Sequence, residues 1–158
     1  MTLKPVGKDD LPALSKSRLR LWLKLLKASS LLEEHVRRHL REEFQTTLPR
    51  FDVMSALSRS PEGLKMSQIS DKLRVSNGNV TGIVDRLTEE GLALRVAVPG
   101  DRRAALVVLT PKGQAAFAEQ AAAHESWING LLDRLDADDV EGMNRRLDYL
   151  NDTLEERD

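Results

Sequence analysis

The sequence predicts a mainly α-helical fold of the α+β class, a set of helices with one small β-hairpin. Three observations carry this expectation. Apolar residues recur at spacings of three and four along both ends of the chain. The stretch 94–109, LRVAVPGDRRAALVVL, instead places two valine- and leucine-rich runs around a Pro-Gly turn. Between them lie short periodic segments punctuated by Pro, Gly and Ser.

A chain of 158 residues suits one domain with a sizeable core, or a compact domain with oligomerisation helices. Hydrophobic residues make up 41% and charged residues 31%, the balance of a soluble globular protein. No apolar run approaches the roughly 18 residues of a membrane span, and the N-terminus lacks an apolar signal core. A cytoplasmic location without membrane contact is expected. The absence of cysteine removes disulfides, thiolate metal sites and thiol redox sensing.

Residues 1–14 hold two prolines and no helical period, and read as an arm. From Ser15 to about Phe44, Leu19, Trp22, Leu26, Ser29, Leu32, Val36, Leu40 and Phe44 follow a helical period. Thirty residues is long for one globular helix, so part of it is expected to pack on a partner chain. The region 15–47 is therefore assigned to dimerisation and a ligand pocket. A second helix over about 49–59 follows, with Pro49 in its first turn.

Met66–Leu73 is a short helix. Ser76 caps the next, which runs to Glu90, with Gly91 just beyond it. The hairpin, with strands 94–98 and 104–109, comes at once after this pair. A helix–turn–helix followed by a hairpin with the basic tip PGDRR is a winged helix-turn-helix, and residues 48–113 are assigned to it.

Residues 114–158 are helical again. Phe117, Ala121, His124, Ile128, Leu131 and Leu135 form one seam; Val140, Met143, Leu147, Leu150 and Leu154 form another. Asp136 suits the cap of the last helix, and Asp138, Asp139 and Glu141 its positive end. These are read as C-terminal dimerisation helices.

The net charge of −1 hides an asymmetry. Residues 1–49 carry +4, residues 50–113 carry +3 and residues 114–158 carry −8. Nucleic-acid affinity depends on the field near the phosphates, so the basic front fits double-stranded DNA and the acidic tail should face away.

At 100° per residue, Val80, Ile83, Val84 and Leu87 share one face of the 76–90 helix and should be buried. The opposite face carries Gly78, Gly82, Asp85 and Arg86, flanked by Asn79 and Thr81. Glycine in a helix costs about 1 kcal/mol relative to alanine, and close approach of DNA supplies a reason for two of them. The competing reason is a GxxxG helix-packing contact. Asn77 and Asn79 suit bidentate contacts to adenine, or simple capping. Ser76 and the first N–H groups suit phosphate, and Arg86 the backbone. At the hairpin tip, Arg102 or Arg103 suits a narrow minor groove, with Asp101 pairing to Arg103 and fixing it. The competing reading is a polar tip chosen for turn geometry.

The stretches SNGNVTGIVDRLTEEGL (76–92) and DRRAALVVLTPKG (101–113) resemble the MarR family of bacterial transcription regulators. Asp101, Arg103, Leu109, Thr110 and Gly113 match the family pattern D-x-R, short strand, L-T-x-x-G. The resemblance covers nearly the whole chain. It implies a homodimer joined by the terminal helices, on a pseudo-palindromic operator, with recognition helices in successive major grooves and wings in the minor groove. It further implies a repressor that a small ligand releases.

Lack of cysteine closes the peroxide-sensing branch of that family. His35 and His39 stand at i, i+4 near Glu34, Glu42 and Glu43, a metal-compatible spacing, but Arg37, Arg38 and Arg41 surround them. A solvated or dimer-facing role is preferred, with a metal-responsive repressor as an alternative and no cofactor expected. An organic anion remains. Arg18, Arg20 and Trp22 on the first helix, with Arg50, Phe51 and Met54 on the next, suit an aromatic carboxylate or aromatic acyl-CoA thioester. The segment LRLWLKLLK…LPRFDVMSAL resembles regulators of aromatic-acid catabolism within the family. The bland reading of Trp22 is core or dimer packing. A winged helix used for protein contact is the other function class, and no catalytic constellation is seen.

Overall fold

The structure, a computed structural model, describes residues 11–73 and 77–157, without the side chains of residues 11, 12, 77, 78, 102 and 103. Six helices and one hairpin follow in order: α1 Leu11–Phe44, α2 Leu48–Ser58, α3 Met66–Leu73, α4 Asn77–Glu89, β1 Ala93–Val98, β2 Asp101–Leu109, α5 Pro111–Leu131 and α6 Ala137–Glu155. The expected α+β class, mainly helical with a winged helix-turn-helix, is what forms. Two compact units divide the chain, one to Gln120 and one from Ala121.

In the first unit, α2, α3, α4 and the hairpin enclose one core. Val53, Met54 and Leu57 of α2 meet Ile69 of α3, Val80, Val84 and Leu87 of α4, and Val107 and Leu109 of β2. Every one of them is buried. The sheet is a two-stranded antiparallel ribbon, and Leu64 adds one bridge to Val107 with hydrogen bonds of 3.0 and 2.8 Å. Thr47 caps α2 by accepting from the Arg50 N–H, and Pro49 sits in the first turn, where its missing donor costs nothing.

The end of α4 is closed by Gly91. Its N–H donates to the Thr88 carbonyl and that of Leu92 to the Leu87 carbonyl, a paired C-terminal cap. The cap needs a left-handed residue, and Gly91 has φ +74.

Three expectations change. α1 begins at Leu11, not Ser15, because Pro12 falls in the first turn, where proline is tolerated; residues 1–10 of the expected arm lie outside the described residues. The hairpin turn narrows to Pro99-Gly100, with β2 starting at Asp101. Ala97 pairs with Ala105 but Val98 with Asp101, so residues 102–104 bulge out of register. Leu135 falls in the turn after α5 rather than on its seam, since the helix ends at Leu131.

Among the described residues of α1, Val36 and Leu40 in its later part are buried. Leu19, Trp22 and Leu26 of its first half are exposed. In the second unit, Asp136 and Asp139 form a reciprocal capping box at the start of α6, with bonds of 2.8 and 3.2 Å. No residue of α6 is buried. Among the described residues no helix is long and apolar enough to cross a membrane.

Candidate nucleic-acid interface

α4 divides as its period requires. Val80, Val84 and Leu87 are fully buried and Ile83 half-buried. Asn79, Thr81, Gly82 and Arg86 are exposed on the opposite side. A Cβ added at Gly82 would meet nothing within 4 Å, so among the described residues no helix packs on that glycine. The helix-packing explanation therefore fails for Gly82 within the chain. Ser76 lies outside the described residues, as do the Asn77 and Gly78 side chains.

Asp85 does not stand free on this face. It accepts from the Arg95 guanidinium of β1 at 2.6 Å, tying α4 to the hairpin. The sequence reading missed this pair, whose signal was a lone carboxylate on a face meant for phosphate. At the hairpin tip Asp101 is exposed, while the side chains of Arg102 and Arg103, and with them the expected Asp101–Arg103 pairing, lie outside the described residues.

The motif Leu109-Thr110-Pro111-Lys112-Gly113 explains itself mechanically. The Thr110 N–H donates to the Leu92 carbonyl at 3.0 Å, and its hydroxyl donates to the Gly91 carbonyl at 2.6 Å. That same hydroxyl oxygen accepts from the Gly113 N–H at 3.0 Å, capping α5. A Cβ at Gly113 would stand 1.9 Å from the Leu92 carbonyl oxygen, so only glycine lets α5 start against the α4–β1 turn. Lys112 Nζ donates to the Glu90 carbonyl at 3.0 Å.

Arg50 of α2 grips the other side of this corner. Its two terminal nitrogens donate to the two carboxylate oxygens of Glu90. The hydrogen bonding from Arg50 holds the Glu90 carboxyl below the usual glutamate range, against an opposing push from burial; the charges of Arg50, Arg86 and Lys112 add to the lowering.

The six residues expected to form an effector pocket fall in different settings on α1 and α2. Phe51 and Met54 are core residues, and Phe51 packs on Phe117 with ring centroids 5.4 Å apart. Arg50 is committed to Glu90. Arg18, Arg20 and Trp22 are exposed on the first half of α1. Trp22 stands about 21 Å along the helix axis from Val36, at about 1.5 Å per residue. His35 Nδ1 accepts from Arg38 at 2.7 Å and His39 Nδ1 lies 3.5 Å from Glu43.

A cleft the sequence did not announce runs beside α4. It measures about 430 Å³ and is lined by Arg37 and Arg41 of α1, residues 46–49 at the start of α2, and Asn79 and Ile83 of α4. A neighbouring cleft of about 320 Å³ shares Thr47, Asn79 and Ile83 and adds Arg50, Gly82 and Arg86.

Comparison with known proteins agrees with this geometry. The MarR family model matches residues 44–104. A crystal structure of a MarR family transcriptional regulator from Silicibacter pomeroyi is 30% identical, covering 89% of this chain and 96% of that one, with a TM-score of 0.74. The HTH-type transcriptional regulator MhqR of Bacillus subtilis (strain 168) is 26% identical over 128 residues, 81% of this chain and 87% of its own. Sco3205, a MarR family transcriptional regulator from Streptomyces coelicolor solved in complex with DNA, shares the fold at 21% identity, covering 86% of this chain and 90% of that one, with a TM-score of 0.73. The chain belongs to the MarR family of DNA-binding transcription regulators.

Proposed function

We propose that this chain acts as a homodimeric repressor of a pseudo-palindromic operator and is released by an aromatic carboxylate or aromatic acyl-CoA thioester. The observation that carries the DNA half of this reading is the exposed face of α4, small and polar, with open space over Gly82. Asn79, Thr81 and Arg86 on that face, with Ser76 and Asn77 at its start, are the candidates for reading base edges and adjacent phosphates. Arg102 and Arg103, positioned by Asp101, are the candidates for the minor groove. The dimer half is supported by the apolar residues that the chain leaves exposed on α1 and α6. DNA as the target implies a cytoplasmic location.

The effector reading narrows. Arg18, Arg20 and Trp22 keep the cation-and-ring chemistry that an aromatic acid needs, and their exposure suits a pocket completed by a second chain. Phe51, Met54 and Arg50 serve the domain that the pocket must influence. A preference of about 1–3 kcal/mol for a dimer with misplaced recognition helices would weaken operator binding about 5- to 150-fold.

One variant tests the central claim. A Cβ at Gly82 meets nothing within 4 Å among the described residues, so Gly82→Leu should fold with an unchanged or higher melting temperature. Its affinity for a duplex selected from a random library should nevertheless fall, by about 1–3 kcal/mol for each base contact displaced. A Gly82→Leu protein that binds that duplex as the wild type does would overturn the reading. Titrating benzoates, hydroxycinnamates and their CoA thioesters into the complex tests the effector class, and release by none of them would end it.

A further inference from the structure

The exposed face of α4 has two flanks. At 100° per residue, Asp85 and Ile83 stand about 160° apart, with Gly82, Arg86 and Asn79 between them. On the Asp85 flank lies Arg95 of β1, so that side belongs to the hairpin. On the Asn79 and Ile83 flank lie the two clefts beside α4, which share Thr47, Asn79 and Ile83 and so form one groove.

A helix seated in a major groove has a sugar-phosphate backbone on each side. The hairpin serves one side only. The groove on the other side is built for negative charge. Arg37 and Arg41, one helical turn apart, share its wall, and Arg86 stands at the α4 edge. Among the described residues no carboxylate lines either cleft. Glu33 lies 3.9 Å from Arg37, but both side chains are more than half exposed, a weak and exchangeable pair. Arg41 forms no ion pair among the described residues. Farther out, Arg37, Arg38 and Arg41 line a third cleft with Glu42. The Thr47 hydroxyl accepts from the Arg50 N–H, which leaves its own hydrogen for an incoming oxygen.

We infer that this groove seats the DNA backbone that flanks the recognition helix opposite the wing, with Arg37 and Arg41 as its phosphate contacts. The inference rests on α4 reading DNA. It assigns the end of α1 a direct part in binding, beside the dimerisation and pocket role expected of that region. It also accounts for two of the three arginines in the five residues from 37 to 41, beside the buried residues Val36 and Leu40.

The test is the salt dependence of binding, read by fluorescence anisotropy on two duplexes. One is selected from a random library by the wild-type protein; the other is its scrambled version. For Arg37→Ala with Arg41→Ala, the slope of log affinity against log salt should shrink by about 1.8 per bound subunit, at about 0.9 for each phosphate contact. Affinity should fall by a similar factor on both duplexes, because phosphate contacts carry no sequence information. Arg41→Lys should retain most of the slope that Arg41→Ala loses. An unchanged slope in a folded double variant overturns the inference. So does inorganic phosphate binding to the wild type but not the double variant while the slope stays the same, which would make the groove a free-anion site. A wild type with no preference for any duplex would instead sink the operator reading itself.

Discussion

α4 and α6 carry similar apolar periods and meet opposite ends. On α4 the seam of Val80, Val84 and Leu87 is wholly buried by α2, α3 and the hairpin. On α6 the seam of Val140, Met143, Leu147, Leu150 and Leu154 is 38–50% exposed, and no residue of that helix is buried among the described residues. The first half of α1 behaves like α6, with Leu19, Trp22 and Leu26 exposed. A helical period thus marks an apolar face without saying whether the chain itself buries it. The charge pattern adds a second contrast, since the region from residue 114 onward carries −8 and the part before it is basic.

The sharpest way to break this comparison is to cut one side chain from each seam. Leu87→Ala should lower stability by about 2–5 kcal/mol, the cost of a cavity in a packed core. Denaturant midpoints should show that loss at every protein concentration. Leu147→Asp with Leu150→Asp should instead act through association. Sedimentation should shift from dimer to monomer, and the melting temperature should lose its dependence on protein concentration. An α6 double variant that stays dimeric would show that the exposed seam serves something other than self-association.

A smaller effect tests how tightly the covered region is built. Gly113→Ala places a methyl against the Leu92 carbonyl, so α5 must move off the α4–β1 turn. Overpacking of this kind costs about 1–3 kcal/mol, and contact with rigid backbone puts it near the top of that range. Calorimetry of Gly113→Ala beside Gly130→Ala gives the contrast, because a Cβ at Gly130 meets nothing within 4 Å. Equal effects at the two glycines would remove the close approach from the account.

These glycines also show where the sequence could be read and where it could not. The period of α4, the Gly91 cap, the capping box at Asp136 and the basic hairpin are local features, set by residues within a few positions of one another. Each was legible, because helix faces and caps follow from spacing and from which backbone groups lack partners. The polar face of α4 was legible for the same reason. What stayed hidden depends on residues far apart in the chain. Arg50 and Glu90 are 40 positions apart, and no period links them. Asp85 and Arg95 needed the hairpin's path over α4. The burial of Phe51 and Met54 and the pairing of Arg50 with Glu90 likewise depend on how α2 packs, which no local spacing sets. Spacing alone marks the arginines at 37, 38 and 41 as a poor setting for a metal, and only the fold sets Arg37 and Arg41 on a cleft with α4.

The Arg50–Glu90 pair marks the edge of the covered region and gives the smallest and most specific prediction. Arg50 is mostly buried and its Nε has no partner among the described residues, so the Glu90 carboxylate answers for its buried charge. Glu90 itself is about half exposed, which limits the pair to about 1 kcal/mol or less. Because hydrogen bonding to Arg50 depresses the carboxyl pKa on folding, its contribution is fully present above the ordinary glutamate value, about 4.3. It is lost as pH falls through the lower folded value. The stability gap between wild type and Glu90→Gln should therefore stay flat from about pH 7 to about pH 5 and narrow below about pH 4. A gap that does not change in acid would mean that Arg50 holds the protonated carboxyl as well as the carboxylate. The corner between α2 and α4 would then be fixed by shape and hydrogen bonding, like the core beneath it, and not by charge.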